Sequence, residues 1–242
     1  MNIQIPLFMD PTFKNLISLE SKLNADDVWI SKRWISRQEF FLEESLLGNT
    51  PRPHSLKEFV QLTNKGIDLV DFGGGSGWLF HALQYHEFKI NTYVNVESIN
   101  LHKNCGGNDA NYTHITPDKL ESYRWSKNNL ILYLNSVIQY FEADNHLIDL
   151  VKSIKPSFLI IDDVTPSSSR EYFAYQKYYE NRIAYRFVDK DQLIRLLEGS
   201  NYVLKREIPF QRVINPSFAY EFEKQDNDFQ IGSTTSLLFE RL

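Results

Sequence analysis

A cluster of glycines after a short apolar run constrains the fold of this chain more than any other stretch. The run Ile67–Phe72 ends in Gly73-Gly74-Gly75-Ser76-Gly77, and the amphipathic segment Trp78–Tyr85 follows at once. Glycine accepts positive φ angles and has no Cβ, so a ligand can approach its backbone closely. The first amides of a helix are unpaired and can bind a ligand in such a turn. The sequence therefore predicts a strand, a ligand-binding turn and a helix.

The spacing of the glycines distinguishes between nucleotide-binding turns. The dinucleotide fingerprint needs glycine at the first, third and sixth positions. A count from Gly73 puts Trp78 sixth, and a count from Gly74 puts Ser76 third. A P-loop needs a lysine, which this turn lacks. The stretch reads as acid-x-Gly-x-Gly-x-Gly with Asp71 as the acid, which suits a cationic or amino-bearing ligand. A turn that only packs a helix on a strand is the alternative.

A second acid follows the next predicted strand, Thr92–Val96. Glu97 lies twenty residues beyond Gly77, at the carboxyl end of that strand. An acid in this place can accept hydrogen bonds from both hydroxyls of a nucleoside ribose. Together with the glycine turn it predicts a nucleoside site, and a solvated surface acid is the alternative.

The segment after Gly66 alternates strands with helices, which predicts a parallel sheet with right-handed crossovers. The predicted strands are Ile67–Phe72, Thr92–Val96, Tyr112–Thr116, Leu130–Leu134, Ser157–Ile161, Tyr202–Ile208 and Ser236–Arg241. The aromatic-rich segment Thr165–Phe187 is expected to be a packed helix face or extended arm, with an aromatic substrate wall as the alternative. A long loop is predicted over Asn215–Gly232.

Residues 1–65 are predicted to form a helical N-terminal cap, and residues 66–242 the core. Asp10-Pro11 is typical of a helix start, and two capping boxes, Ser36 with Glu39 and Ser55 with Glu58, predict two further helices. The cap is rich in aromatic residues. It is expected either to pack on the sheet or to form a lid over a substrate.

Polar residues follow two of the predicted buried strands. Asn135 and Ser136 come after Leu130–Leu134, and Asp162 and Asp163 come after Ser157–Ile161. Ligands of open α/β sheets lie outside the carboxyl ends of the strands, so both sets are expected at the site. Asp162 and Asp163 are the predicted catalytic carboxylates. Because side chains of a strand alternate, one should face the acceptor and the other should fix the following loop.

Composition excludes several classes of function. A net charge of −5 and a pI near 5.7 argue against nucleic acid as a partner. One cysteine rules out an internal disulfide, and the histidines lack the spacing of a metal site. No apolar run is long enough to cross a bilayer, and no secretion signal begins the chain, so a cytoplasmic location is expected.

The motif Asp71-Phe72-Gly73-Gly74-Gly75-Ser76-Gly77 resembles the first motif of Rossmann-like S-adenosylmethionine-dependent methyltransferases. Together with Asn135-Ser136-Val137-Ile138-Gln139-Tyr140 and Leu159–Pro166, it is similar to a family of bacterial methyltransferases associated with surface-polysaccharide biosynthesis. The likeness covers roughly residues 66–209. It departs from the family at Asp162-Asp163, where one acid followed by a basic or neutral residue is expected.

The resemblance implies a mostly parallel seven-stranded sheet with helices on both faces and an antiparallel C-terminal hairpin. It implies S-adenosylmethionine as cofactor and a small-molecule or sugar-type acceptor. The residues expected to bind the cofactor are Asp71, Gly73, Gly74, Gly75, Gly77, Glu97, Asn135 and Ser136. Two other hypotheses stay open: an NAD(P)-dependent sugar oxidoreductase or epimerase, and an inactive cofactor-binding partner protein. The oligomeric state is not predicted.

Overall fold

A seven-stranded sheet lies at the centre of the computed structural model. The structure describes residues 7–13, 28–29, 31–50, 53–63, 66–98, 101, 109–125, 129–167, 170–178, 181–210 and 233–242. The strands are β1 Leu7–Phe13, β2 Ile67–Phe72, β3 Ile90–Val96, β4 Tyr112–Ile115, β5 Leu130–Asn135, β6 Phe158–Val164, β7 Tyr172–Tyr178, β8 Asn181–Phe187, β9 Tyr202–Pro209 and β10 Thr235–Arg241. The helices used below are α1 Lys32–Leu46, α2 His54–Thr63, α3 Trp78–Tyr85, α4 Asp144–Ile154 and α5 Lys190–Glu198. The predicted loop Asn215–Gly232 lies outside the described residues.

The order of the central sheet is β4-β3-β2-β5-β6-β10-β9. Neighbours from β4 to β6 are parallel, whereas β10 is antiparallel to both β6 and β9. The predicted, mostly parallel seven-stranded sheet with its antiparallel C-terminal hairpin is therefore confirmed. The chain passes from β2 outward to β4 and then returns to β5. The carboxyl ends of β2 and β5 thus flank a switch point, where open α/β sheets bind ligands.

Helices cover both faces of this sheet. One apolar cluster packs α4 and α5 against one face, with Leu147, Leu193 and Leu159 fully buried. The other packs α2 and α3 against the opposite face, with Phe59 and Phe80 fully buried. Strands β5 and β6 are buried almost throughout, as expected of strands covered on both sides. None of the described helices is long and apolar enough to cross a membrane.

A second, three-stranded antiparallel sheet has the order β1-β7-β8. The helix predicted to begin at Asp10-Pro11 is wrong, because those residues belong to β1. Pairing with β7 overrides the local helix-start signal. Of the two expectations for Thr165–Phe187, the packed helix face is wrong. That segment contains the β7–β8 hairpin, in which Tyr172 and Phe187 stack with ring centroids 4.5 Å apart.

Both capping boxes predicted for the N-terminal region are wrong. Helix α1 begins after Ser31, whose hydroxyl accepts a hydrogen bond from the Trp34 amide at 3.2 Å, so Ser36 lies inside the helix. Helix α2 already includes Ser55, and the hydroxyl of Ser55 donates to Asp162 instead. The capping pattern at α5 is confirmed: the Asp189 carboxylate accepts from the Gln192 amide at 2.9 Å.

Candidate active site

The glycine turn lies at the switch point, between β2 and α3. Gly73, Gly75 and Gly77 have φ angles of +72°, +57° and +75°, which favour glycine over any residue with a Cβ. The turn is closed by a backbone hydrogen bond of 3.0 Å from the Gly77 amide to the Gly74 carbonyl. The strand, turn and helix predicted from the sequence are therefore present with their predicted bounds.

Gln38, on α1, covers this turn. Its Oε1 accepts a hydrogen bond from the Ser76 amide at 3.1 Å, and the side chain is buried. A Cβ added to Gly75 would lie 2.2 Å from that same oxygen. The missing Cβ at Gly75 thus admits a protein side chain from a distant helix. Sequence reasoning missed Gln38, because nothing near it in the chain indicates which turn it contacts.

Glu97 follows β3 and points back to the glycine turn. Its Oε2 accepts from the Gly75 amide at 3.1 Å, and its Oε1 accepts from the Ser98 amide at 2.7 Å. Burial raises the pKa of Glu97, and these backbone hydrogen bonds partly offset that rise. A carboxylate has about four lone-pair sites, so each oxygen can accept a further hydrogen bond. Glu97 therefore has the acceptor capacity that two ribose hydroxyls require.

Asp71 is the penultimate residue of β2, beneath the turn, and is only 3% exposed. Burial raises its pKa from 3.8 to about 7, while the hydroxyl of Tyr93, which donates to Asp71 Oδ2, lowers the pKa and the charge of Glu97 raises it. A ligand cation next to Asp71 would favour the ionised carboxylate. This acid thus fits a ligand that carries positive charge.

A cavity of about 410 Å³ lies above these residues. Its size falls in the roughly 300–1,000 Å³ range of small-molecule and cofactor sites. Of the predicted cofactor-binding residues, Gly77 does not line the cavity, and the others do: Asp71, Gly73, Gly74, Gly75, Glu97, Asn135 and Ser136. Among the described residues, six aromatic side chains also line it: Trp29, Trp34, Phe41, Trp78, Tyr133 and Tyr140. The cavity thus joins the predicted cofactor residues to aromatic residues of the N-terminal region.

The part of the cavity next to the second sheet, which we call the hairpin end, is formed by Trp29, Trp34, Tyr140 and Gln176, which contact one another. The Trp29 ring makes edge contacts with Trp34 and Tyr140, at centroid distances of 4.9 and 5.1 Å. The Tyr140 hydroxyl donates to Gln176 Oε1 at 3.0 Å, and Gln176 belongs to β7. Sequence reasoning missed Gln176, since it comes from a hairpin that was not predicted.

Asp162 is buried away from the cavity lining. Its Oδ2 accepts hydrogen bonds from the Tyr133 hydroxyl at 2.6 Å and from the Ser55 hydroxyl at 2.7 Å, and burial raises its pKa. These bonds connect β6 to β5 and α2. Asp162 therefore contacts the cavity through Tyr133, which does line it.

Asp163 occupies a β-bulge in β6. The register against β10 shifts by one residue between Ile161 and Val164, and Asp163 has a φ of +59°. Its Oδ2 accepts from the Ser136 hydroxyl at 2.6 Å. Asp163 is also outside the cavity lining, while Ser136 is part of it. The catalytic roles of Asp162 and Asp163 stay a prediction, and the geometry gives each acid a position behind a lining residue.

No protein-family model matches the chain, and no curated protein matches it in sequence. Solved structures with the same fold include a Burkholderia thailandensis 1,6-didemethyltoxoflavin-N1-methyltransferase with bound 1,6-didemethyltoxoflavin and S-adenosylhomocysteine. It is 11% identical with a TM-score of 0.56, and the match covers 100% of this chain and 97% of that one. LepI in complex with SAM is 10% identical with a TM-score of 0.51, over 77% of this chain and 46% of that one. The chain thus has the Rossmann-like methyltransferase fold.

Proposed function

We propose that this chain is an S-adenosylmethionine-dependent methyltransferase that acts on a small-molecule acceptor. The observation that carries the proposal is one cavity lined by the glycine turn, by Glu97 with spare acceptor capacity, and by the buried Asp71. Two structural neighbours support it at the level of the fold: a methyltransferase with bound S-adenosylhomocysteine, and LepI in complex with SAM.

Different predicted cofactor residues would bind different parts of S-adenosylmethionine. Glu97 would accept the ribose hydroxyls, and Asp71 would lie next to the positively charged amino-acid part. When bound, S-adenosylmethionine would supply a methyl carbon on a positively charged sulfur, and this sulfur would be the leaving group when the acceptor attacks the carbon. Asn135 and Ser136 would hold the end of the cofactor nearest the acceptor. Such alignment supplies much of the rate enhancement in a direct displacement.

We further propose that residues 1–65 act as a cap over the acceptor. This region supplies Trp29, Trp34, Arg37, Gln38 and Phe41 to the cavity. Helix α2 of this region packs on the central sheet. A sugar-type acceptor, a role in surface-polysaccharide biosynthesis and a cytoplasmic location remain predictions made from the sequence.

Calorimetric titration with S-adenosylmethionine and with NAD tests the cofactor. We expect only the first to bind. Preferential binding of NAD would support the oxidoreductase hypothesis, and binding without transfer to any acceptor would support an inactive partner protein.

Substitution of Glu97 tests the site itself. We expect Glu97→Ala to weaken S-adenosylmethionine binding by about 1.5–3 kcal/mol, the range for hydrogen bonds to a charged group. Glu198→Ala, which removes an exposed glutamate from α5, is the matched control. An analogue without ribose hydroxyls should bind the Glu97→Ala variant almost as tightly as it binds the wild type, since the analogue and the substitution remove the same hydrogen bonds. If the two losses add, Glu97 does not bind the ribose.

A further inference from the structure

Ser136 and Asp163 contact each other at the carboxyl edge of the central sheet. Asn135 of β5 pairs with Asp162 of β6, and the Ser136 amide donates to the Asp162 carbonyl at 3.2 Å. The Ser136 hydroxyl donates to Asp163 Oδ2 at 2.6 Å. A separation of about 2.5–2.7 Å is typical of a hydroxyl that donates to an ionised carboxylate. The two side chains therefore form one hydrogen-bonded pair beside the cavity.

Both residues of this pair have a backbone conformation that side chains rarely adopt. The φ angle is +57° at Ser136 and +59° at Asp163. Residues other than glycine are strained in this left-handed region, and strained residues cluster at active sites and at segments that hold ligands. Two strained residues joined by one short hydrogen bond at the edge of a cavity are therefore candidates for a functional role.

The hydrogen bond to Asp163 determines what Ser136 can offer to a ligand. A hydroxyl has one proton and two lone pairs. A second oxygen, Asn135 Oδ1, lies 3.2 Å from Ser136 Oγ, so the shorter contact with Asp163 holds the proton. Ser136 thus has a lone pair but no proton for a ligand. Its partner in the cavity must be a hydrogen-bond donor.

Ser136 also connects the buried Asp163 to the cavity. Ser136 is half-buried and lines the cavity, whereas Asp163 is 2% exposed and does not line it. A base can act through one bridging group, as it does through a bridging water. A proton that arrives at Ser136 Oγ can therefore move the serine proton to Asp163 along the existing hydrogen bond. The Oδ2 atom of Asp162, by contrast, accepts from the hydroxyls of Tyr133 and Ser55.

We propose that Ser136 and Asp163 form a proton relay for a neutral hydroxyl acceptor, so that the product is a methyl ether. The inference rests on the proposed function. The acceptor oxygen forms the bond to the methyl carbon, and the carbon–sulfur bond breaks with its electron pair left on sulfur. The acceptor proton passes to Ser136 Oγ while the serine proton passes to the Asp163 carboxylate, which becomes neutral. Ser136 is thus a catalytic residue, and Asp163 acts through it.

Methyl transfer to phenol at saturating S-adenosylmethionine, measured as anisole formed, tests the relay. At neutral pH we expect Ser136→Ala and Asp163→Asn each to be at least about a hundredfold slower than the wild type, as when a general base is removed. The double variant should be no slower than the slower single variant, because the two residues act as one unit. Ser153→Ala and Asp191→Asn make the same changes at exposed helix positions and should keep the wild-type rate.

The pH dependence separates a relay from a structural role. Phenol ionises by itself near its ordinary pKa of about 10 and then needs no base. The loss of rate in both variants should therefore shrink as the pH rises towards that value. A loss of constant size at every pH, or losses that multiply in the double variant, overturns the inference. Circular dichroism checks that each variant is folded. Asparagine accepts a positive φ readily, so Asp163→Asn decides the question if Ser136→Ala does not fold.

Binding decides the question if the wild type forms no anisole. Calorimetry on the protein saturated with S-adenosylhomocysteine compares phenol with anisole, which lacks the hydroxyl proton. We expect phenol to bind about two- to tenfold more tightly, the effect of one hydrogen bond, and Ser136→Ala to lose this preference. Equal affinity for the two probes, or no binding of either, overturns the relay and leaves the proposed function intact. Failure of S-adenosylhomocysteine to bind overturns both.

Discussion

The glycine-turn end of the cavity takes most of its residues from one strand–turn–helix segment, whereas the hairpin end takes its residues from segments far apart in the chain. Asp71 and the turn lie within seven residues of one another, and Glu97 follows the adjacent strand. Gln176, by contrast, meets Tyr140 across 36 residues and belongs to a different sheet. The glycine-turn end is therefore built mainly from one strand–turn–helix segment, whereas the hairpin end is assembled from several separate segments.

The two ends also differ in charge. Carboxylates line the glycine-turn end, through Asp71 and Glu97, whereas aromatic rings and the Gln176 amide line the hairpin end. A cationic cofactor next to these carboxylates would meet the opposite charge. Gln38 is the side chain that ties the N-terminal region to the glycine turn.

Replacement of Gly75 should have the largest effect on the glycine-turn end. A side chain at its φ of +57° costs about 1–2 kcal/mol in backbone strain alone. The new Cβ would also lie 2.2 Å from Gln38 Oε1. We expect Gly75→Val to abolish S-adenosylmethionine binding in calorimetry while circular dichroism stays that of a folded protein.

Gly199→Ala is the control for that substitution. Gly199 has an ordinary helical φ of −62°, and a Cβ added there would lie 3.4 Å from the Arg195 carbonyl oxygen, an ordinary contact distance. Wild-type affinity is expected for this variant. Wild-type affinity in folded Gly75→Val protein would contradict the assignment of the turn to the cofactor.

Asp71 should give the glycine-turn end a pH-dependent stability. The unfolded chain loses the Asp71 proton near pH 3.8, whereas the folded protein keeps it until about pH 7. The folded state therefore binds more protons in this window, and its stability falls as the pH rises. The contribution of one such group is at most about 1.4 kcal/mol per pH unit. Asp71→Asn should make the fall less steep in denaturant unfolding measured at several pH values.

The raised pKa values of Glu97 and Asp162 will leave part of this pH dependence in the variant. The same substitution at the exposed Asp191 serves as the control. A fall in stability as steep as that of the wild type would mean that Asp71 is ionised in the folded protein.

Gln38→Ala should have the smallest effect and tests whether the two ends are coupled. Loss of one hydrogen bond should lower the free energy of unfolding by about 0.5–1.5 kcal/mol. Gln38 links α1, which also carries Trp34 of the hairpin end, to the Ser76 amide of the glycine turn, so the affinity for S-adenosylmethionine should fall as well. Gln192→Ala, at an exposed position, is the control. If stability falls and the affinity for S-adenosylmethionine does not, the two ends act independently.

The sequence predicted the glycine-turn end well because its signals are local. The apolar run, the glycines and Glu97 are separated by spacings that the βαβ unit itself imposes. Those residues came together in the structure at one cavity, with the exception of Gly77. Their contacts with the cofactor stay a prediction.

The sequence determined by itself the central sheet, its glycine turn and the acid after β3, because periodicity and turn chemistry act between near neighbours. Only the tertiary structure decided what covers that turn and where the acids of β6 point. Asp162 meets Ser55 across 107 residues, and the bulge at Asp163 exists through pairing with β10. Contacts over such separations depend on how whole elements pack, and no local pattern of residues encodes them.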